Sequence, residues 1–301
     1  MSPTIDATLA RRLVAAQFPQ WAGLAIEPLA DGGWDNRTFR LGATMSVRFP
    51  SHAAYEPQVA KEHAWLPRLA AHLPLPVPEP VAMGRPDEGY PWRWSVYRWL
   101  DGEPATTAQI ADLPQFAADL GGFLSALQSI DVEGGPLAGA HNFHRGGPIS
   151  TYDAGTRAAI DALGCAIDRQ AVEAVWDAAL RSTWSGPPVW VHGDVSAGNL
   201  LVKGGSLSAV IDFGCVGVGD PACDLVIAWT VFEGESRAAF RRSLDLDDGA
   251  WARARGWALW KALIVWAGAP GANPRDLGQS RRIVDDLLAD YAAVTPSLRR
   301  P

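Results

Sequence analysis

The segments HGDVSAGN at 192–199 and DFG at 212–214 place His, Asp and Asn residues close together in the sequence. Two apolar runs lie between them, joined by the Gly-Gly pair at 204–205. Apolar runs joined by such a pair predict a β-hairpin. Asp212 follows Asn199 by thirteen positions, so a hairpin of this length returns the two side chains to the same end.

The residue types in these segments suit phosphoryl transfer. That reaction needs a carboxylate to orient the attacking hydroxyl and accept its proton, and two oxygen ligands for Mg²⁺ on the nucleotide phosphates. Asp194 supplies one acid, and Asn199 and Asp212 supply two ligands. We therefore predict a catalytic group built from these side chains.

The whole run from 192 to 225, with the form HGDxxxxN, IDFG and GDPxxDL, resembles the aminoglycoside phosphotransferase-like kinases. Members of that family share the two-lobed protein-kinase fold, and the resemblance covers nearly the whole chain. It implies that Asp194 is the catalytic base, that Asn199 and Asp212 are the metal ligands, and that His192 braces the catalytic loop.

Two further acids, Asp220 and Asp224, also fall on positions of the family pattern. Asp is a frequent helix N-cap, because its carboxylate accepts hydrogen bonds from free backbone N–H groups. We interpret both residues as braces or caps for the loop and helix that follow, and not as catalysts.

The composition excludes several classes of protein. The chain has 301 residues, enough for about two domains or one two-lobed unit, with 48% hydrophobic and 20% charged residues. A net charge of −7 gives no basic footprint for nucleic acid. No apolar run approaches the roughly 18–20 residues that span a bilayer, and residues 1–18 carry Asp6, Arg11 and Arg12 in place of a secretory core. We expect a cytoplasmic protein that binds neither nucleic acid nor membrane; its oligomeric state is not predicted.

Cysteine and histidine give little sign of a metal site or a disulfide framework. The three cysteines form no C-x-x-C pair, so free thiols are expected. His141 and His144 form an H-x-x-H pair, but no third ligand lies at a suitable spacing. We interpret the pair as part of a loop or pocket rim.

The first hundred residues predict a small sheet with helices. Helical spacing in the first segment ends at Pro19, and two extended runs at 38–41 and 45–49 predict a hairpin. Further along, 62–69 has helical spacing, the proline-rich stretch 73–80 is an extended connector, and 94–100 predicts a strand. We place the boundary after Leu100, giving an N-terminal nucleotide-binding lobe at 1–100.

The remaining residues, 101–301, are expected to form a catalytic and substrate-binding lobe that is mainly helical. One stripe runs from Phe116 to Ile130, with Asp112 as its N-cap and Pro114 in its first turn. Later helical stripes lie at 172–180, 251–266 and 283–291. The predicted fold class is α+β: a small N-terminal antiparallel sheet plus helix and a larger, mainly helical C-terminal lobe, as in the protein-kinase-like fold that the resemblance implies.

A glycine-containing segment, GGWDN at 32–36, precedes the first hairpin strand. Glycines there permit close approach of the backbone to phosphates. We predict that Gly32, Gly33 and Asn36 contact the cofactor.

Arg48 departs from the family pattern, which usually has a Lys on the third strand. Arg is permanently charged and can bind phosphate oxygens in a bidentate manner, so phosphate binding survives the replacement. Glu62, on the following helix, is the expected partner of Arg48. Lys61 lies about 100° around that helix and should face elsewhere.

The strand between the lobes carries Tyr97, Arg98, Trp99 and Leu100. The resemblance implies that the backbone here bonds the edge of the nucleotide base. We therefore count these residues as cofactor-binding, and the expected cofactors are ATP or GTP with Mg²⁺.

The acceptor is expected to be a small molecule. Only residues 215–219 separate the DFG segment from Asp220, too few to form a platform for a peptide. We interpret Trp257, Trp260 and Trp266 as core or wall packing at helical spacing. The candidate acceptor-binding residues in the helical lobe are Asn142, His144, Arg145, Asp153, Trp229 and Glu233.

Together these features predict a nucleotide-dependent O-phosphotransferase that moves the γ-phosphate to a hydroxyl of a small molecule, an aminoglycoside-type antibiotic first of all. The acidic balance suits an amino sugar, whereas the tryptophan content suits a macrolide. His144 and Arg145 instead suit an anionic or strongly polar acceptor, as for a metabolic kinase of the choline, homoserine or sugar type. A non-catalytic nucleotide-binding module is the alternative of another class, motivated by Arg48.

Overall fold

The computed structural model of the protein describes residues 4–29, 35–105, 109–268 and 277–295. Within these ranges the helices are α1 (Ala7–Gln17), α2 (Glu56–Ala70), α3 (Leu113–Gln128), α4 (Asp153–Leu163), α5 (Arg169–Arg181), α6 (Ile227–Thr230), α7 (Gly234–Arg242), α8 (Asp248–Trp266) and α9 (Leu277–Val294). The strands are β1 (Ile26–Pro28), β2 (Asn36–Leu41), β3 (Met45–Pro50), β4 (Pro80–Gly84), β5 (Trp94–Arg98), β6 (Glu103–Pro104), β7 (Val189–Val191), β8 (Leu200–Lys203), β9 (Ser206–Val210) and β10 (Gly217–Gly219).

The first five strands form an antiparallel sheet in the order β1-β2-β3-β5-β4. β2 and β3 are the two arms of the predicted hairpin, which is confirmed. Successive side chains of a strand point to opposite faces. On β3, Val47 and Phe49 therefore pack with Leu13 of α1 in the core of this lobe, while Ser46 and Arg48 face the cleft between the lobes.

The second helix, α2, connects the two lobes. It carries Pro57 in its first turn, where a missing N–H costs little. Its side chains Leu66 and Leu69 pack in the hydrophobic core of the helical lobe, not in the core beneath the sheet. The side chain of Glu62, the predicted partner of Arg48, is thereby held between the lobes.

The inter-lobe strand is shorter than predicted. β5 ends at Arg98, which pairs with Met45, and the chain then leaves the sheet, although Trp99 N–H still donates to the Thr44 carbonyl at 2.9 Å. The break expected at 101–104 contains the two-residue strand β6, which pairs with β8. This pairing attaches the connector to the helical lobe.

The helical lobe is organised around α8, which is buried on nearly all sides and packs against α4, α5 and α9. A helix of this kind belongs in the middle of a core. The prediction for α3 is confirmed at its first turn, where the Asp112 carboxylate accepts a hydrogen bond from the Gln115 N–H at 3.0 Å. The stripes predicted at 172–180, 251–266 and 283–291 are the helices α5, α8 and α9.

Two small sheets present the polar segments of this lobe to the cleft. β8 and β9 form the predicted Gly-Gly hairpin, with a register shift at Leu201, and β7 pairs with β10. The cysteines Cys165, Cys215 and Cys223 are free thiols. Among the described helices, none is both long enough and apolar enough to cross a membrane.

Candidate active site

A cavity of about 380 Å³ lies between the sheet and the β8–β9 hairpin. Its walls combine β2 and β3, the inter-lobe strand and the polar segments of the helical lobe. The structure brings eight of the predicted site residues to this cleft: Asn36, Arg48, Tyr97, Arg98, Trp99, Leu100, Asn199 and Asp212. Gly32 and Gly33 lie outside the described residues.

The loop between β7 and β8 is fixed at its start by His192, which is fully buried. Its ring Nε2 lies 3.0 Å from the Ile211 carbonyl, and its Nδ1 accepts a hydrogen bond from the Asp194 N–H at 3.2 Å. A carbonyl only accepts, so this arrangement requires the neutral tautomer with its proton on Nε2. The imidazole thus ties the loop to the strand end that precedes Asp212.

A second anchor of the loop is Asp224, a buried carboxylate. Its two oxygens accept hydrogen bonds from the backbone N–H groups of His192 and Gly193, each at 2.7 Å. Burial raises the pKa of Asp224, and these two donors partly offset that rise. The interpretation of Asp224 as a loop brace agrees with this geometry.

Gly193 has a backbone φ of +84°, a conformation that L side chains rarely adopt. A Cβ at this position would lie 2.5 Å from the Cys215 carbonyl oxygen. The loop therefore needs glycine immediately before Asp194.

Asp194 and Asn199 lie at the two ends of the loop and contact each other. The Asn199 side-chain amide donates to the Asp194 carbonyl at 2.8 Å and to its carboxylate at 3.2 Å. The amide oxygen of Asn199 is left without a donor among the described residues. Burial tends to raise the pKa of Asp194, but the charges of Lys261 and Arg145 outweigh it, so the pKa lies below its usual value.

Asp212 follows β9 in a left-handed conformation, with a φ of +65°. Non-glycine residues seldom adopt it, and Asp and Asn tolerate it best. The Ile211 N–H donates to the Asn199 carbonyl at 2.8 Å, which brings Asp212 beside Asn199. Gly214 lies against Gln58 of α2, and a Cβ at that position would lie 2.6 Å from the Gln58 amide oxygen, so the Gln58 side chain would have to move.

Arg48 joins the two lobes through two carboxylates. Its guanidinium lies 2.9 Å from Asp212 and 3.6 Å from Glu62. Glu62 in turn accepts a hydrogen bond from the Tyr97 hydroxyl. Burial tends to lower the pKa of Arg48, but the charges of Asp212 and Glu62 raise it by more than burial lowers it. The pKa lies above its usual value, and the side chain stays charged.

Lys61 faces away from this group, as its position on the helix predicts. Its ammonium lies 3.0 Å from Nδ1 of His141 and 3.3 Å from the His141 carbonyl. Burial lowers the pKa of Lys61 to about 8. His141 is thus engaged within the protein, and the described residues include no cluster of three or more His, Cys, Asp or Glu side chains able to hold a metal.

A third carboxylate near the cleft, Asp35, was not among the predicted site residues although it lies within the GGWDN segment. Its pKa is raised to about 6, first by burial and then by the nearby charge of Asp212, while a hydrogen bond from Tyr55 opposes the shift. The acid therefore lies in the electrostatic field of Asp212 and Asp194.

The side of Asp194 near α8 carries cations and aromatic rings. The Lys261 ammonium lies 3.5 Å from the Asp194 carboxylate. The Arg145 guanidinium lies over the rings of Trp257 and Trp260, at 5.1 and 4.9 Å from their centroids. Sequence patterns did not single out Lys261, and its only signal was that it is one of three lysines in the chain.

Several candidates for acceptor binding are engaged elsewhere. Asn142 is fully buried, and its amide bonds the backbone of Gly139, Arg145 and Cys215. Trp229 is buried in the core of the helical lobe, and Glu233 is the exposed N-cap of α7.

Of the two other candidates, Asp153 accepts from Trp176 Nε1 at 2.7 Å and pairs with Arg157. His144 is exposed next to Arg145 and has a φ of +56°. Asp220 caps the turn at Pro221–Val226 and forms a buried bidentate pair with Arg253, in agreement with its structural interpretation.

Solved structures with this architecture include aminoglycoside and macrolide phosphotransferases. A GDP and kanamycin complex of APH(2″)-IIIa has a TM-score of 0.73 at 19% identity, covering 93% of this chain and 98% of that one. A GDP complex of aminoglycoside 2′-phosphotransferase-IIIa has a TM-score of 0.70 at 18% identity, covering 95% of this chain and 100% of that one. The macrolide 2′-phosphotransferase MphH from Brachybacterium faecium has a TM-score of 0.60 at 20% identity, covering 92% and 97%.

At these identities the solved structures establish the fold, and they confirm the predicted two-lobed α+β architecture. No curated protein sequence matches the chain significantly. Residues 25–257 match the model of the family described as APH, the phosphotransferase enzyme family. Because that match spans most of the chain, including both polar segments of the cleft, this protein belongs to the phosphotransferase enzyme family.

Proposed function

We propose that this protein transfers the γ-phosphate of ATP or GTP to a hydroxyl group of a small molecule. The observation that carries the proposal is the convergence of Asp194, Asn199 and Asp212 at one end of a cleft whose opposite wall holds Arg48. The Asp194 carboxylate is ionised and partly exposed to solvent, and Asn199 and Asp212, which can supply oxygen ligands to a metal, line the cavity. This combination is what phosphoryl transfer requires.

The donor set in the cleft suits Mg²⁺. Asn199 turns its amide nitrogen toward Asp194, which leaves its oxygen available, and Asp212 uses one carboxylate oxygen for Arg48. Mg²⁺ prefers oxygen ligands, and usually binds through one or two protein side chains plus phosphates and water. We therefore assign the metal to Asn199 and Asp212, where it would neutralise charge on the nucleotide phosphates.

Asp194 acts in this proposal as the base. Its lowered pKa keeps it ionised at neutral pH, and the Asn199 amide and the His192 imidazole fix its orientation. The acceptor hydroxyl would donate its proton to the Asp194 carboxylate while its oxygen bonds to the γ-phosphorus. The bond from phosphorus to the leaving diphosphate breaks, and the nucleoside diphosphate departs with that electron pair.

Arg48 would bind the inner phosphates, with Glu62 and Tyr97 as the residues that position it. The guanidinium keeps its charge under all physiological conditions and can bind two phosphate oxygens at once. The contact with Glu62 restricts the position of the Arg48 guanidinium, because Glu62 is buried and its carboxylate accepts a hydrogen bond from the Tyr97 hydroxyl. Loss of the family's usual Lys is thus compatible with nucleotide binding.

The nucleotide base would lie against the inter-lobe strand. Leu100 lines the cleft, and its backbone N–H has no acceptor among the described residues. A donor of this kind can bond the edge of either adenine or guanine. Asn36, Arg98 and Trp99 line the same cavity and complete the proposed nucleotide site.

The acceptor is a small molecule in this proposal, because the segment after DFG folds back on the protein. Residues of β10 pair with β7, so no extended platform for a peptide is present in the described part of this segment. The similar solved structures include complexes with kanamycin and gentamicin and a macrolide phosphotransferase. Aminoglycosides and macrolides are therefore the first acceptors to assay.

The test is calorimetric titration with ATP and GTP, with and without Mg²⁺, of the wild type and two isosteric variants. Asp212→Asn should weaken Mg²⁺-nucleotide binding at least about tenfold, because one anionic ligand is lost. Asp194→Asn should bind Mg²⁺-nucleotide within about threefold of the wild type and lose phosphate transfer. Nucleotide binding that ignores both Mg²⁺ and Asp212→Asn would contradict the proposal.

A further inference from the structure

We propose that the acceptor of this enzyme carries an anionic group, a carboxylate or a phosphate, that Lys261 and Arg145 bind beside Asp194. This inference rests on the proposed function and names the chemistry of its acceptor. It differs from the expectation of a polycationic aminoglycoside, and it concerns two side chains that the nucleotide site does not use.

Lys261 reaches the catalytic loop from α8. Its ammonium lies 3.5 Å from the Asp194 carboxylate, and the two side chains are 42% and 38% exposed. Half-exposed pairs of this kind contribute little to stability, so folding gives little reason for the contact. Both side chains remain open to a ligand that arrives from solvent.

Arg145 approaches the same place from the loop that precedes α4. Aromatic rings surround its guanidinium, which lies 5.1 Å from the Trp257 centroid and 4.9 Å from the Trp260 centroid. Its Nη1 lies 3.4 Å from the Tyr152 hydroxyl. Trp257 and Lys261 are four residues apart and share one face of α8. Arg145 also lies against the loop that carries Asp194, because a Cβ built on Gly193 would lie 3.0 Å from the Arg145 Cβ.

Arg145 has no carboxylate partner in the described parts of the chain, where no acidic oxygen lies within 4.0 Å of its guanidinium. The nearest candidate on α4, Asp153, is committed to Trp176 and Arg157. Partly buried guanidinium groups are normally paired, and Arg is the usual residue for binding carboxylate and phosphate. Its electrostatic effect on Asp194 shows that this charge acts at the catalytic loop.

The charges on the α8 side of the base follow from these contacts. The positive charges of Lys261 and Arg145 flank the negative charge of Asp194 there, whereas Asp212 lines the nucleotide cleft and pairs with Arg48. Opposite charges attract and like charges repel strongly at short range in a partly dehydrated site. An acceptor with an ammonium group near its hydroxyl is therefore disfavoured here, while one with an anionic group is attracted and oriented.

The test uses matched acceptors that differ only in one substituent. One set is glucose, glucuronate, glucose 6-phosphate and glucosamine; the other is glycerol, glycerate, glycerol 3-phosphate and 3-amino-1,2-propanediol. Kanamycin is included as a polycation. Binding is measured calorimetrically on the protein loaded with Mg²⁺ and ADP, and phosphate transfer is measured with Mg²⁺ and ATP.

We expect the anionic members of at least one set to bind at least tenfold more tightly than the neutral and cationic members. The carboxylate and phosphate arms identify which anion is preferred. Equal binding across both sets, or tighter binding of the amines or kanamycin, overturns the proposal. Because binding is read without turnover, this failure is distinct from loss of Mg²⁺-nucleotide binding, which would overturn the proposed function itself.

Variants then separate acceptor binding from a general effect on the base. Lys261→Met and Arg145→Met should each raise KM for the preferred anion about tenfold to a hundredfold, the range expected when a charge-assisted hydrogen bond is lost. The KM for the neutral acceptor should change less than about threefold in these variants. Lys261→Glu should lower the KM for the amine relative to the KM for the anion. Lys203→Met, which removes the exposed lysine paired with Asp101, is the matched control, and it should change neither the KM for the anion nor the KM for the neutral acceptor. An equal fall in kcat for every acceptor would instead assign these residues to the chemical step and overturn the proposal.

Discussion

Replacing Asp224 by asparagine should loosen the catalytic loop and destabilise the protein. The carboxylate is fully buried and accepts two backbone hydrogen bonds of 2.7 Å, from His192 and Gly193. Asparagine offers one oxygen, and its amide nitrogen would face the second N–H donor. A buried donor without a partner costs about 1–3 kcal/mol, and loss of the charge on the remaining bond adds about 1 kcal/mol. Burial raises the pKa of Asp224, so neutral asparagine avoids part of the desolvation cost, and we expect a net loss of roughly 2–3 kcal/mol.

The assay is urea unfolding of the wild type, Asp224→Asn and a matched control, Asp112→Asn. Asp112 caps α3 on the surface, where asparagine caps as well as aspartate, so the control should stay within about 0.5 kcal/mol of the wild type. With a slope near 3 kcal/mol per M, the midpoint of Asp224→Asn should fall by about 1 M. Phosphate transfer should fall as well, because the loop that orients Asp194 loses an anchor. A midpoint indistinguishable from that of Asp112→Asn would refute the assignment of Asp224 as a brace.

Three further substitutions test other parts of the account. Gly193→Ala should destabilise the protein by more than about 2 kcal/mol, since its Cβ would lie 2.5 Å from the Cys215 carbonyl; a thermal midpoint equal to that of the wild type would contradict the close approach. Arg253→Met should cost about 3–5 kcal/mol in urea unfolding by leaving Asp220 buried without its partner, and a loss below 1 kcal/mol would show that the pair is dispensable. Burial lowers the pKa of Lys61 from 10.5 to about 8, so between these values the unfolded chain binds more protons than the folded one. The stability of the wild type relative to Lys61→Met should therefore rise as pH increases from 8 toward 10, and a difference independent of pH would contradict the burial of this lysine.

Local patterns predicted those parts of the fold that neighbouring residues determine. The β2–β3 hairpin follows from two extended runs around Gly42, and the start of α3 follows from Asp112 and Pro114. The lobe boundary after Leu100 stays a prediction. Tyr97 lies on β5 of the N-terminal sheet but packs in the core of the helical lobe, so packing does not divide the chain at one residue.

Local sequence patterns do not predict contacts between distant segments of the chain. Lys261 lies on a helix that is buried on nearly all sides, and no local signal marks it as the position that meets Asp194. Asn142 and Trp229 have residue types common in binding sites, but the fold uses them to brace a loop and to fill a core. Burial and partner identity, which only the tertiary structure supplies, separate the two roles.

The measurement that tests the central claim most directly is transfer of labelled γ-phosphate from ATP and GTP to the acceptor sets and antibiotics named above, by the wild type and by Asp194→Asn. The account predicts transfer by the wild type that requires both Mg²⁺ and an acceptor, falls at least about a thousandfold in Asp194→Asn, and yields a phosphate ester of the acceptor. Retained transfer in Asp194→Asn would contradict the assignment of the base. Tight Mg²⁺-nucleotide binding with no transfer to any acceptor would favour a non-catalytic nucleotide-binding protein in place of the enzyme.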